Sequence, residues 1–158
     1  MYYEIHVVSM GGNDPAGAEE ADAGIAIGFL APPYPSWRLP GWHRASLGVH
    51  GDDGRRYVDN SYGGRDFTSA FRPGDVVGIG MTISPPESSH SQRRVQVFFT
   101  RNGKREGGWD LHEERDRDQE EGDVRGLEGG NDVHAAVGFF GEVQFEVKFK
   151  KEDWAFRE

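Results

Sequence analysis

The sequence contains no cysteine, which excludes disulfide frameworks, thiol nucleophiles and cysteine-ligated zinc sites. It also lacks an apolar run long enough to span a bilayer. The opening stretch MYYEIHVV alternates like a strand from its second residue and does not have the composition of a signal peptide. These absences are compatible with a reducing compartment and with one domain cut from a longer protein.

Apolar residues at the spacing of an amphipathic helix are missing as well. The one helix-friendly stretch, HEERDRDQEE, has no apolar face to bury, so packing cannot offset the entropy of ordering it. We expect it to belong to an acidic loop at about 112–132. By the same reasoning, the loose stretch at about 11–24 is predicted to be a second long loop.

Basic residues are fewer than acidic ones: 18 Lys and Arg stand against 27 Asp and Glu, which gives a formal net charge of −9. Duplex nucleic acid and anionic membrane surfaces are therefore poor partners, because the electrostatic part of such binding has the wrong sign. Nine acidic residues and three arginines lie between His112 and Asp132, so most of the excess falls in one predicted loop. We expect neither a nucleic-acid partner nor direct insertion into a membrane.

What the sequence does contain is apolar residues that alternate with polar or small ones, the period of half-buried strands. The residues predicted to face inward are Tyr3, Ile5, Val7, Ile25, Ile27, Phe29, Val77, Ile79, Met81, Ile83, Val95, Val97, Phe99, Val143, Phe145, Val147 and Phe149. Turn signals separate the strands: Asp53-Gly54 and Asn102-Gly103 are hairpin pairs, and Arg72–Asp75 is a turn before a strand. The pattern predicts an all-β fold, an antiparallel β-sandwich with long loops.

Four blocks of the sequence resemble the SPRY domain in order and spacing. They read LPGWHRASLGVHGDDGRRYVDN, YGGRDFTSAFRPGDVVGIGMTI, VQVFFTRNGKREG and HAAVGFFGEVQFEVKF. The resemblance runs from Tyr2 to about Phe149. It implies a concanavalin-like, jelly-roll sandwich, with residues 1–158 forming a single domain that has loop insertions at about 11–24 and 112–132.

Two groups within that family are the most similar. They are the SPRY domains of Ran-binding-protein-M-type ubiquitin-ligase scaffolds and those of fungal endosomal and vacuolar ubiquitin-ligase adaptors. The resemblance implies a non-catalytic module that docks a short segment of a partner protein on a rim of loops, as part of a ubiquitin-ligase adaptor or scaffold. It also implies an intracellular location, in the cytoplasm or on the cytosolic side of endosomes or vacuoles. No cofactor and no metal are expected.

Positions in the family carry over to particular residues here. Tyr57 matches a tyrosine that lines the peptide site of SOCS-box-linked SPRY domains. Phe139, Phe140 and Gly141 fall where those proteins have a Val-Trp-Gly contact step, so an aromatic anchor is kept with a different shape. The arginine that those proteins supply has no counterpart, and Arg38 or Arg55 would replace it.

The residues themselves favour the stretches WRLPGW and GDDGRRY as the binding surface, because arginines and aromatics on loops give large contact areas. Trp37 and Trp42 are equally consistent with local packing that holds the proline-rich excursion at 30–42 against the sandwich. Phe139 is in phase with Val137, so Phe140 is expected to be the more exposed of the pair. The predicted partner-binding residues are Arg38, Trp42, Arg55, Tyr57, Phe139, Phe140 and Gly141.

The alternative is a carbohydrate-binding or glycosidase-like sandwich. The stretch EVQFE has Gln144 where some jelly-roll glycosidases carry a third acid, and its outward Glu and Lys neighbours are typical of a solvated face. There is no Gly-x-Ser-x-Gly nucleophile elbow, and the Asp52-Asp53 pair lacks the further ligands of a calcium loop. An enzyme is therefore not expected, although a sugar stacked on Trp37 or Trp42 would favour this alternative.

Overall fold

A computed structural model describes residues 1–11, 22–59, 61–62, 64–91, 93–114 and 124–158. Residues 12–21 and 115–123, which make up much of the two predicted loop insertions, lie outside the described residues. The described part forms the strands β1 Tyr2–Met10, β2 Gly24–Leu30, β3 Ser46–His50, β4 Arg55–Val58, β5 Arg65–Asp66, β6 Val76–Ser84, β7 Arg94–Arg101, β8 Lys104–Asp110, β9 His134–Phe140 and β10 Val143–Lys148, with short 3-10 helices at Leu111–Glu114 and Lys151–Asp153. No helix in these ranges is long and apolar enough to cross a membrane.

The strands form two five-stranded antiparallel sheets. Sheet A has the order β10-β1-β6-β7-β8, and sheet B has the order β5-β4-β3-β2-β9. The predicted all-β sandwich is thus confirmed. Asn102 and Gly103 form a two-residue hairpin with φ of 50° and 79°, as their sequence indicates. Asp53-Gly54 instead belongs to a four-residue connection, residues 51–54, between β3 and β4.

The core lies between the sheets and includes most of the residues predicted from alternation, together with residues that the alternation did not predict, among them Leu47, Val49, Phe71, Trp109 and Leu127. On β1, β2, β6 and β7 the predicted inward side chains are at most 1% exposed, apart from Ile83, which is half-buried at the end of β6. On β10 the predicted residues Val143, Phe145 and Val147 are only partly buried, because β10 is the edge strand of sheet A. Phe149 follows the end of β10; its ring lies on the inward side, 5.8 Å from that of the core residue Tyr3, yet it is 64% exposed.

A buried tyrosine links the two sheets by hydrogen bonds. The hydroxyl of Tyr3, on β1 of sheet A, accepts a hydrogen bond from the amide of Gly28 at 3.0 Å and donates to the carbonyl of Ala136 at 2.7 Å, both in sheet B. The ring contacts Phe29 edge-on at 5.7 Å. Burial raises the pKa of Tyr3, so the hydroxyl stays protonated and able to donate. Tyr3 therefore helps to fix how sheet A sits on sheet B.

Replacing Tyr3 with phenylalanine tests this link. We expect Tyr3→Phe to lower the free energy of unfolding by about 1–3 kcal/mol, because the Gly28 amide and the Ala136 carbonyl lose a buried partner. Urea denaturation followed by circular dichroism measures the change. A variant with the wild-type unfolding midpoint would show that the hydroxyl does not stabilise the sandwich.

Candidate functional site

The segment between β2 and β3, residues 31–45 (the 31–45 loop), lies directly on the outer face of sheet B. A Cβ atom at Gly138 would come within 2.8 Å of the side chains of Leu39 and Pro40, and one at Gly48 would overlap the Pro40 carbonyl oxygen. Leu39 and Pro40 are buried in this position. The outward glycines of β3 and β9 thus let the loop approach the backbone of the sheet, and the predicted structured excursion is confirmed.

Hydrogen bonds hold the loop in one conformation. The hydroxyl of Ser46 accepts from the amide of Gly41 at 2.9 Å and donates to the carbonyl of His43 at 2.6 Å. The hydroxyl of Tyr34 donates to the carbonyl of Leu39 at 2.6 Å. These bonds satisfy backbone groups that the packed loop removes from water, so a long connection without strands or helices is still ordered.

Three rings form a stack under the loop. The centroids of His50 and Tyr57 are 4.4 Å apart, and Trp42 lies 5.0 Å from His50 and 5.9 Å, edge-on, from Tyr57. Burial, followed by the charge of Asp53, raises the pKa of Tyr57, so its phenol is neutral near pH 7. The packing role considered for Trp42 applies, because its indole covers the stack.

His50 is buried at the centre of this stack, and its protonation state follows from its surroundings. Nε2 lies 2.9 Å from the carbonyl oxygen of Pro40. A carbonyl only accepts, so Nε2 carries the hydrogen and donates it. Burial lowers the pKa of His50, against opposing effects of this hydrogen bond and the charges of Asp52 and Asp53. The imidazole is therefore neutral near pH 7. Its role is structural: it packs between Trp42 and Tyr57 and donates a hydrogen bond to the 31–45 loop.

A groove of about 340 Å³ opens between the 31–45 loop and the end of β9, and we call it the Trp42 groove. Its most exposed large apolar side chains are Trp37, at 82%, and Phe139, at 56%. The packing role considered for Trp37 does not apply, because nearly all of its indole faces solvent. The groove is lined by Ser36, Trp37, Arg38, Leu39, Trp42, Gly138, Phe139 and Phe140.

The two arginines among the predicted site residues are placed differently. Arg38 donates from Nη1 to the carbonyl of Trp42 at 3.2 Å and to the hydroxyl of Ser61 at 3.4 Å, and its side chain lines the groove. Arg55 pairs with Asp66, with 3.2 Å between Nε and Oδ1. Arg38 is therefore the arginine that lines the groove, while Arg55 pairs with Asp66 of strand β5 and hydrogen-bonds the side chain of Tyr57.

The exposure of the two phenylalanines on β9 is the reverse of the prediction. Phe139 faces the core side, as expected from its pairing with Ile25, yet it is 56% exposed. Among the residues that the structure describes, no strand lies beyond β9 in sheet B to cover it, and its ring lies 5.6 Å from that of Phe145 at the open side of the sandwich. Phe140 is half-buried, because its ring lies over Gly24 of the adjacent strand.

The predicted site residues separate into three groups. Arg38, Trp42, Phe139 and Phe140 line the groove together. Tyr57 supports Trp42 from behind, and Arg55 points to β5. Gly141, at the turn after β9, borders a separate polar hollow beside Ser9 and Gly11. The side chains of Glu142, Gln144 and Glu146 are exposed along β10, outside the Trp42 groove.

Four lining residues were not among the predicted site residues: Ser36, Trp37, Leu39 and Gly138. Trp37 belongs to the WRLPGW stretch that the composition favours, but a sequence does not show which of two tryptophans packs and which stays exposed. Gly138 is visible as an outward glycine on an alternating strand, which signals close approach of another segment. That signal would also have indicated Gly48.

Comparisons with known proteins agree with this architecture. No protein-family model matches the chain. It is 35% identical over 106 residues to the human SPRY domain-containing protein 3, a match that covers 67% of this chain and 21% of that protein. It is 37% identical over 81 residues to Protein ssh4 of Sclerotinia sclerotiorum, covering 51% of this chain and 14% of the relative. The matched parts are thus about a fifth or less of these relatives.

One solved structure and one further sequence relative show the same similarity. A crystal structure of a human SPRY domain superposes with a TM-score of 0.63 over 93% of this chain and 74% of that one, at 24% identity. An SPRY domain-containing protein of Schizosaccharomyces pombe is 34% identical over 84 residues, which are 53% of this chain and 19% of that protein. The two-sheet topology and the sequence matches both indicate the fold of that human SPRY domain.

The buried histidine predicts a pH dependence. Because the pKa of His50 is lower in the folded chain, the unfolded chain takes up this proton first as the pH falls below about 6.5. The free energy of unfolding should therefore decrease with falling pH in that range, by up to about 1.4 kcal/mol per pH unit from this residue. In His50→Gln, whose amide can still donate to Pro40, we expect that contribution to disappear. Urea unfolding measured from pH 7.5 to pH 5 tests this.

His90→Gln serves as the control, because it makes the same substitution at an exposed histidine outside this site. The assignment is wrong if His50→Gln keeps the wild-type slope between pH 6.5 and pH 5.

Proposed function

The chain is a SPRY domain, and on that basis we propose that it binds a short apolar segment of a partner protein in the Trp42 groove. SPRY domains are generally non-catalytic protein-interaction modules. The observation that carries the proposal is the 82% exposure of Trp37 beside a groove whose other walls are mostly apolar. Tryptophan held in water at the edge of a concave surface is typical of an interaction hot spot.

The size of the groove indicates what it accepts. A volume of about 340 Å³ lies at the lower end of ligand sites, which run from roughly 300 to 1,000 Å³. It therefore suits one or two side chains of a peptide better than a large cofactor. Leu39, Phe139 and Phe140 supply apolar walls, so the anchoring residue of the partner would be aliphatic or aromatic.

Arg38 adds a polar requirement. Its hydrogen bonds to the Trp42 carbonyl and to Ser61 orient the guanidinium along the groove, and the side chain remains exposed. A guanidinium in this setting binds a carboxylate with two parallel hydrogen bonds. We expect the preferred segment to carry Asp or Glu close to its apolar anchor.

The wider role is proposed from the resemblance to ubiquitin-ligase scaffolds and to fungal endosomal and vacuolar adaptors. In such a protein the Trp42 groove would select the partner, and other parts of the longer chain would recruit the ligase. The 37% identity to Protein ssh4 of Sclerotinia sclerotiorum, over half of the chain, relates this chain to a fungal protein. The corresponding location would be intracellular, in the cytoplasm or on the cytosolic side of endosomes or vacuoles.

Peptide selection tests the groove. We expect peptides selected from a random library to bind Trp37→Ala at least about tenfold more weakly than the wild type, a loss of about 1.4 kcal/mol. Arg38→Ala should weaken the acidic peptides preferentially. Fluorescence anisotropy with labelled peptides measures both. Because Trp37 is exposed, its removal should leave the thermal midpoint unchanged.

Phe149→Ala is the matched control, since Phe149 is an exposed aromatic residue outside the groove. It should bind every selected peptide like the wild type. If Trp37→Ala, Arg38→Ala and Phe140→Ala also bind every selected peptide with wild-type affinity, the groove is not the peptide site. Binding to a glycan array that is lost in Trp37→Ala, without any peptide hit, would favour the carbohydrate-binding alternative instead.

A further inference from the structure

The outer face of sheet A, on the opposite side of the sandwich, is covered by the last residues of the chain. Trp154 contacts the ring of Tyr2 edge-on, with 4.7 Å between centroids. Phe156 lies 5.7 Å from Tyr2 and 6.1 Å from Phe98. Ala155 separates the two aromatic residues. The segment therefore presents aromatic side chains at alternate positions to one surface.

That surface is prepared by glycines. Tyr2 and Phe98 lie on strands at either side of β6 and stack at 5.5 Å with an interplanar angle of 7°. They meet above Gly80, where an added Cβ atom would overlap the Phe98 ring. A Cβ atom at Gly78 would likewise overlap the Tyr2 hydroxyl. The glycines of the alternating stretch VVGIGMTIS thus leave room for a flat aromatic bed on the outside of the sheet.

A buried carboxylate holds the main chain of the segment. Glu4, on β1, is 1% exposed, and its two oxygens accept hydrogen bonds from the consecutive amides of Ala155 at 2.7 Å and Phe156 at 2.8 Å. The hydroxyl of Tyr2 donates to the same carboxylate at 2.9 Å. Hydrogen bonds to an ionised acceptor are stronger than neutral ones, so this contact anchors the backbone whatever side chains it carries.

The segment is also held at its indole. Nε1 of Trp154 donates to the carbonyl of Lys148 at 3.0 Å. Main-chain capture by Glu4 combines here with two side-chain contacts, one of which includes a directed hydrogen bond. This division of labour, with backbone bonds for affinity and side-chain contacts for specificity, is that of peptide-recognition surfaces.

We propose that the outer face of sheet A is a second peptide-docking site, selective for a Trp-x-Phe segment and filled by residues 154–156 of this same chain. None of its contacts depends on the segment being covalently joined to β10, so a free segment of the same chemistry can make them. A hollow of about 200 Å³ remains beside Phe156 and Arg157, which leaves room for a bulkier occupant. The site lies on the other sheet from the Trp42 groove.

The test weakens the internal segment and offers it back as a peptide. The protein is the full chain carrying Trp154→Ala and Phe156→Ala, and the probe is a fluorescent peptide of residues 150–158, KKEDWAFRE. Anisotropy should show binding to this double variant at least about tenfold tighter than to the wild type, where the tethered segment competes at high effective concentration. A probe with alanine in place of Phe156 should bind at least about tenfold more weakly than the native probe.

Two further variants locate the binding. Adding Glu4→Gln to the double variant should abolish binding of the native probe, because an NH2 group, which only donates, replaces one of the two oxygens that accept from the backbone amides of Ala155 and Phe156. Adding Trp37→Ala, which alters only the Trp42 groove, should leave the affinity unchanged. Equal affinity of the native probe for wild type and double variant, or equal affinity of the two probes, overturns the proposal.

Hydrogen exchange on the unaltered chain gives a second measurement that needs no variant to fold. The amides of Ala155 and Phe156 should exchange at least about 100-fold more slowly than in the free peptide, since both donate to a buried carboxylate. Exchange at the rate of the free peptide would show that the segment is not docked, and the proposal would then fail.

Discussion

The absence of side chains at a few outward positions of the sheets is the constraint on which the surface of this sandwich depends. On sheet B, Gly48 and Gly138 let Leu39 and Pro40 rest directly on the strands, and the 31–45 loop becomes a wall. On sheet A, Gly80 and its neighbour Gly78 give space to aromatic rings. A methyl group at most of these positions would collide with backbone or a packed ring, so the same physical device shapes both faces.

Different residues provide the packing of the Trp42 groove and its exposed contact surface. Tyr57, His50 and Trp42 pack on one another and are largely removed from water, which fixes the floor under the loop. Trp37 contributes little to that packing and remains free for contact. In the proposed binding mode, such a pre-formed surface would not have to reorganise, which lowers the entropic cost of association.

Much of the interior on β1, β2, β6 and β7 was predictable from sequence, because alternation states which face of a strand a side chain occupies. Alternation does not show how completely neighbouring strands and loops cover that face. Phe139 shows the difference: its side of the strand was correct, but β9 is an edge strand and leaves the ring open to solvent. Gly141 was placed by resemblance alone, and the turn after β9 carries it to another hollow. Glu4 gave no signal, because its partners are backbone amides about 150 residues away.

The contact between Glu4 and the last residues also fixes where the polypeptide enters and leaves the sandwich. The amino group of Met1 donates to the carbonyl of Met81 at 2.9 Å, and Phe156 packs on Tyr2. Both ends therefore lie on sheet A, behind the groove on sheet B. Any domain, tag or surface tether joined to either end would emerge from the rear of the molecule and leave the groove unobstructed, and a short linker between the ends would suit circular permutation.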